Sequence, residues 1–103
     1  MTKNKPICSF YGVMPDMKAY LRKKMKDYNL VVASEKPLDA KKLDRDTEIL
    51  GVFVDSKIDK SVFDKVRKLK LVVTMSTGFD HIDCVEAKKR KIYVCNVPTY
   101  GEN

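Results

Sequence analysis

Leu69–Asn103 reads LKLVVTMSTGFDHIDCVEAKKRKIYVCNVPTYGEN, and the order of its parts decides the fold. Leu71 to Met75 is a short apolar strand. It runs into the small, polar loop Ser76-Thr77-Gly78. Asp80 offers itself as an N-cap for a helix from His81 to about Arg90, with Asp83 in its first turn. Ile92 to Val97 is a second apolar strand, stopped by Pro98. A strand, a helix and a strand joined by short connections make a βαβ unit, whose two strands run parallel.

The same alternation continues toward the N-terminus. Ile7 to Gly12 predicts a strand. Pro15 to Tyr28 carries Met17, Tyr20, Leu21, Met25 and Tyr28 at helical spacing, with Asp16 early and lysines late, as the helix dipole favours. Asn29 to Ser34 predicts a second strand and Leu38 to Leu43 a short helix. Ile49 to Val54 is almost wholly apolar, as a strand covered on both faces should be. Lys60 to Lys68 predicts a helix with Val62, Phe63 and Val66 turned inward. Five strands and four helices in alternation give an α/β fold. With right-handed crossovers it is a flavodoxin-like three-layer sandwich, a five-stranded parallel sheet of order 2-1-3-4-5. Such a sheet normally carries a further helix after its fifth strand. The residues after Val97 are too few for one, so the final helix is expected to be lacking and the sheet near strand five to be bare on one face.

Length and composition bound the function. The 103 residues suit one domain, and 44% hydrophobic residues is ordinary for a folded chain. No apolar run is long enough to cross a bilayer, and the charged start leads too soon into Asp16 and Lys18 to be a signal peptide. A cytoplasmic location is expected, with no membrane partner. The three cysteines, Cys8, Cys84 and Cys95, lack metal-ligand spacing and read as small buried or half-buried thiols. The net charge of +7 is spread over successive predicted helices among acidic neighbours, the pattern of solvated helix faces rather than of a nucleic-acid footprint.

In open parallel sheets, ligands bind beyond the carboxyl ends of the strands. Here those ends are Gly12-Val13-Met14, Val54-Asp55-Ser56, Ser76-Thr77-Gly78 and Pro98-Thr99-Tyr100. The third is the most suggestive. A loop of small residues ahead of a helix leaves main-chain N–H groups free for an anion, and Gly78 lets a ligand come close. A tight turn using glycine for its geometry is the competing reading. His81, the one histidine, sits where a solvated or capping role is more usual than proton transfer.

The run Ser76-Thr77-Gly78-Phe79-Asp80-His81-Ile82-Asp83, joined to Asn96-Val97-Pro98-Thr99-Tyr100, closely resembles the substrate-domain segment of the D-isomer-specific 2-hydroxyacid dehydrogenases. The resemblance is specific over Leu69 to Asn103 and only strand-by-strand before it. It implies that residues 1–103 are one truncated substrate-binding domain of an NAD- or NADP-dependent enzyme. That enzyme would pass a hydride between the nicotinamide and a 2-hydroxy/2-oxo acid. It implies main-chain N–H groups of Thr77 and Gly78 on the substrate carboxylate, with Ser76 in the same loop, Tyr100 beside the substrate, and Val54 and Asp55 on the cleft wall. Asp55 would repel an anion. The implied partners are the small acid, the rest of the same polypeptide with its cofactor domain and C-terminal helix, and a second subunit in a homodimer. Met75 departs from the family, which often has a basic residue there, and this leaves the substrate open.

The absences are equally telling. The four glycines, Gly12, Gly51, Gly78 and Gly101, form no G-x-G-x-x-G, so no dinucleotide phosphate loop is expected and no cofactor is bound by this chain alone. By resemblance, the family's catalytic arginine, acid and histidine map beyond Asn103, so no catalytic residue and no catalytic activity are expected here. The alternative is a co-regulator-type or nucleic-acid-binding module on the same fold. Other flavodoxin-like functions fail by motif: a receiver needs paired acids where Phe10-Tyr11-Gly12 stands, and a flavodoxin a Ser/Thr-rich loop where Val13-Met14-Pro15 stands.

Overall fold

The computed structural model describes residues 5–97. The elements are β1 (Ile7–Phe10), α1 (Pro15–Lys24), β2 (Asn29–Ala33), β3 (Ile49–Val52), α2 (Lys60–Lys65), β4 (Leu71–Thr74), α3 (Cys84–Lys89) and β5 (Tyr93–Asn96). All strand pairs are parallel and the order is β2-β1-β3-β4-β5, the expected flavodoxin-like sheet.

The central strand shows why the layers form. Leu50 and Val52 face α2 and α3, in a core with Val62, Phe63, Val66, Val72, Ile82 and Ala87. On the other face Cys8, Phe10, Val13 and Met75 pack with Met17, Leu21 and Met25 of α1. Gly51 sits beneath the Phe10 ring, where a Cβ would stand 2.1 Å from Phe10 Cδ2. A polar pair lies in the same interior: Thr47 Oγ1 donates to Asp44 O at 2.7 Å and so accepts from Ser9 Oγ at 2.9 Å.

Two expected elements are corrected. Leu38 to Leu43 is not a helix but a chain of turns, so three helices are formed among the described residues, not four. Asp39 Oδ1 captures the Lys41 N–H and Asp39 O the Lys42 N–H, local bonds that compete with a helical ladder. Leu43 is still buried, and Lys65 Nζ donates to Ala40 O, tying this segment to α2. The last helix begins later than Asp80. Ile82 is held extended in a parallel bridge with Ile58: Ile58 N donates to His81 O at 2.8 Å and Asp83 N to Ile58 O at 2.8 Å. Asp83 is therefore the N-cap of α3, its Oδ1 accepting from Glu86 N at 3.0 Å. Arg90 then joins α3 to α2, donating to Glu86 Oε2 at 2.9 Å and Asp64 Oδ1 at 2.6 Å.

The sheet is covered unevenly. Its α1 face has helix cover over β1 and β2, while Tyr93 and Cys95 on β5 stand exposed, Tyr93 at 78%. This is the bare region expected near strand five. Of the three thiols expected to be at least half-buried, only Cys8 is, and Cys84 and Cys95 are exposed.

Two substitutions test this packing in opposite directions. Gly51→Ala should destabilise by about 1–3 kcal/mol, the usual range for overpacking, because a ring must move to admit the methyl. The end of α3 offers the reverse. Ile92 N donates to Ala87 O at 2.9 Å and Lys91 N to Lys88 O at 3.1 Å, a Schellman ending in which Lys91 takes the left-handed φ of 61° that favours glycine. Lys91→Gly should therefore raise stability by about 1 kcal/mol, the order of the left-handed penalty it removes. Urea unfolding of both variants against the parent reads these shifts; a stabilised Gly51→Ala or a destabilised Lys91→Gly would contradict the packing described.

Candidate functional site

The carboxyl ends of β3, β4 and β5 meet at one edge of the sheet. Parallel pairing brings them level: Val52 pairs with Thr74 and Thr74 with Asn96. The chain after β3 passes along the chain after β4 through the Ile58–Ile82 bridge. Val54 and Asp55 are exposed on the first wall and Thr77 and Gly78 on the second. Asp55 lies against Gly12, which has a φ of 71° and where an added Cβ would stand 3.0 Å from Asp55 Oδ1. Tyr100 lies outside the described residues.

The loop after β4 has a definite hydrogen-bond order. Asn96 Nδ2 donates to Ser76 O at 3.2 Å and to Thr77 O at 3.0 Å. Ser76, buried, turns its hydroxyl onto Gly78 O at 2.9 Å. A carbonyl only accepts, so Ser76 gives its proton there and must accept from Thr74 Oγ1, 2.6 Å away. Thr74, having used its own proton, accepts in turn from His81 Nε2 at 2.7 Å. The imidazole thus carries its proton on Nε2 and spends it on a buried hydroxyl. Among the described residues no acceptor takes the N–H groups of Thr77, Gly78 or Phe79.

Glycine at position 78 is not required by the fold. Its φ is not left-handed, and a Cβ there would meet nothing within 4 Å. The space beside Gly78 is open. Among the described residues the loop presents three consecutive unpartnered N–H groups, the chemistry of an anion site.

Asn96 was not among the residues expected at the site. Its signal was a carboxamide at the end of the otherwise apolar or thiol-bearing strand Tyr93-Val94-Cys95. His81 was expected to be solvated or capping; it is half-buried and bonded instead. That burial lowers its pKa from the ordinary value of 6.5, against the raising influence of Asp80 and Asp55. The folded state holds the proton less tightly than the unfolded chain, so the stability His81 confers is present above about pH 6.5 and is lost as pH falls through the depressed folded value. His81→Gln should remove that part of the slope between pH 7.5 and 5 in a denaturant series; an unchanged slope would show that the ring does not titrate differently on folding.

Comparison with known proteins places this geometry. Residues 7–103 match the family model for the catalytic domain of D-isomer specific 2-hydroxyacid dehydrogenases. The glyoxylate reductase of Thermofilum pendens is 48% identical over 54 residues, which are 52% of this chain and 16% of the reductase. That of Pyrococcus horikoshii is 41% identical over the same lengths. The chain thus aligns with about 16% of the length of these curated relatives. The crystal structure of D-lactate dehydrogenase from Aquifex aeolicus, complexed with NAD and lactic acid, superposes with a TM-score of 0.77 at 30% identity, covering 91% of this chain and 28% of that one. The 3-phosphoglycerate dehydrogenase of Entamoeba histolytica shares the fold at a TM-score of 0.75 and 20% identity, over 90% of this chain and 33% of its own. With the family match running from Ile7 through the loop and β5 to Asn103, the chain belongs to the D-isomer specific 2-hydroxyacid dehydrogenase family.

Proposed function

We propose that this chain acts as the substrate-binding domain of an NAD- or NADP-dependent D-2-hydroxyacid dehydrogenase, and that its loop after β4 holds the substrate carboxylate. The observation that carries the proposal is the pair of unpartnered N–H groups at Thr77 and Gly78, with open space where a Gly78 side chain would stand. A carboxylate accepting such donors makes charge-assisted bonds, stronger than neutral ones. The glyoxylate reductases and the lactate-bound relative favour a small 2-hydroxy or 2-oxo acid. Val54 and Asp55 stand on the facing wall, with Asp55 disfavouring a second negative charge on the substrate there. Tyr100 belongs to the same proposed site, beside the substrate, and the Ser76 hydroxyl supports it from below.

The residues described here do not fit a dinucleotide. In the first βα turn Gly12 N–H is already bonded to Lys36 O at 2.8 Å and Val13 N–H to Ser34 O at 3.0 Å, and Pro15 has no N–H to offer. The N–H groups that remain, on Met14 and Asp16, lack the further glycines that let a backbone close on a pyrophosphate. The nicotinamide and the acid–base groups are therefore assigned to the remainder of a longer polypeptide, whose second copy would complete a homodimer. The contribution of this chain is to bind the acid, orient it by its carboxylate and form one wall of the cleft. A co-regulator-type or nucleic-acid-binding module finds no specific support in the surface described.

Two measurements test the assignment. Calorimetry on this chain should detect no NAD affinity tighter than about millimolar, roughly 4 kcal/mol of binding free energy. In the full-length enzyme Gly78→Val should raise KM for the acid at least about tenfold, a loss of 1.4 kcal/mol, by setting a branched side chain in the open space beside the donors. Unchanged kinetics in that variant, with the fold intact, would remove the carboxylate from this loop.

A further inference from the structure

We infer that the loop after β4 is a three-donor anion hole braced from a single rung of the sheet, with Asn96 and His81 as its positioning residues and Phe79 N–H as the third donor. The inference rests on the carboxylate reading above and adds how the donors are aimed and how many there are. A trans peptide is planar, so its C=O and the next residue's N–H point in opposite directions. Fixing a carbonyl therefore aims the following amide. Asn96 fixes Ser76 O and Thr77 O, which aims the N–H groups of Thr77 and Gly78. The Ser76 hydroxyl fixes Gly78 O, which aims the N–H of Phe79.

The two halves of the brace share one origin. Thr74 and Asn96 are register partners on β4 and β5. Asn96 reaches the loop directly. Thr74 reaches it through Ser76 and is itself held by His81 Nε2. Every member has its hydrogen-bonding atom committed, and no buried side-chain nitrogen or oxygen among the described residues lacks a partner. Three consecutive carbonyls are thus turned toward the protein by three side-chain bonds, and three consecutive amides are left without one. A loop using glycine merely to turn would not need its carbonyls tied on two sides. Neither positioning residue has to touch the ligand.

Nuclear magnetic resonance on this chain separates the parts. Backbone order parameters at Thr77, Gly78 and Phe79 should be near the rigid value of about 0.85 in the parent. Asn96→Ala should lower them at Thr77 and Gly78 toward about 0.6, and His81→Ala should do so at Phe79, with His81→Gln restoring order because its amide can donate from the Nε2 position. Titration with glyoxylate should shift all three amides, and each disordering variant should weaken that titration about three- to tenfold, the effect of losing one net hydrogen bond. The His81 pair decides the matter even if Asn96→Ala does not fold. Order at all three amides unaffected by the variants would overturn the brace. A rigid loop with no glyoxylate shift up to about 100 mM, two decades weaker than a millimolar site, would instead overturn the carboxylate reading and with it the anion hole.

Discussion

A parallel sheet has to be covered on both faces, and that requirement governs this molecule. It falls hardest on β3, the middle strand. Leu50 and Val52 are buried on one side, while Gly51 on the other gives up its side chain so that the Phe10 ring can lie across it. Apolar side chains must fill both layers, so polar chemistry has nowhere to go along the strands. It collects at their ends, where backbone groups leave the ladder. The polar groups inside the sheet obey the same rule. Ser9 and Thr47 satisfy each other at one end and Thr74, Ser76 and His81 at the other.

That rule explains which parts of the molecule can be read from sequence. The five strands are legible because each is a short apolar run bounded by turn residues. The order 2-1-3-4-5 follows from their alternation with helices. Leu38 to Leu43 misleads because its apolar residues do enter the core, but from turns stabilised by Asp39 rather than from a helix. The start of α3 misleads because Asp80 and Asp83 are equally good caps locally. A strand-like rung with Ile58, more than twenty residues away, decides between them. Local propensity cannot see such a contact.

The candidate site is legible to a different depth. Thr77 and Gly78 stand out by composition and by family likeness. Asn96 and His81 do not stand out, because their function lies in bonds across the fold. A histidine between two aspartates looks like a solvent group until Thr74, seven residues earlier and buried in a strand, appears at 2.7 Å. Asn96 looks like the end of a strand until its amide is seen to reach two carbonyls some twenty residues back. Supporting residues are defined by topology, so sequence shows the loop and conceals what holds it.

The rung between Ile58 and Ile82 has a mechanical consequence. It joins the segment leaving β3 to the segment leaving β4, so the two banks of the cleft are one body rather than two jaws. Neither can swing without breaking paired main-chain bonds beside buried isoleucines. Any closing motion over this edge of the sheet must therefore come from something moving against this unit as a whole. Within the unit, the spacing of the two banks is fixed rather than adaptable.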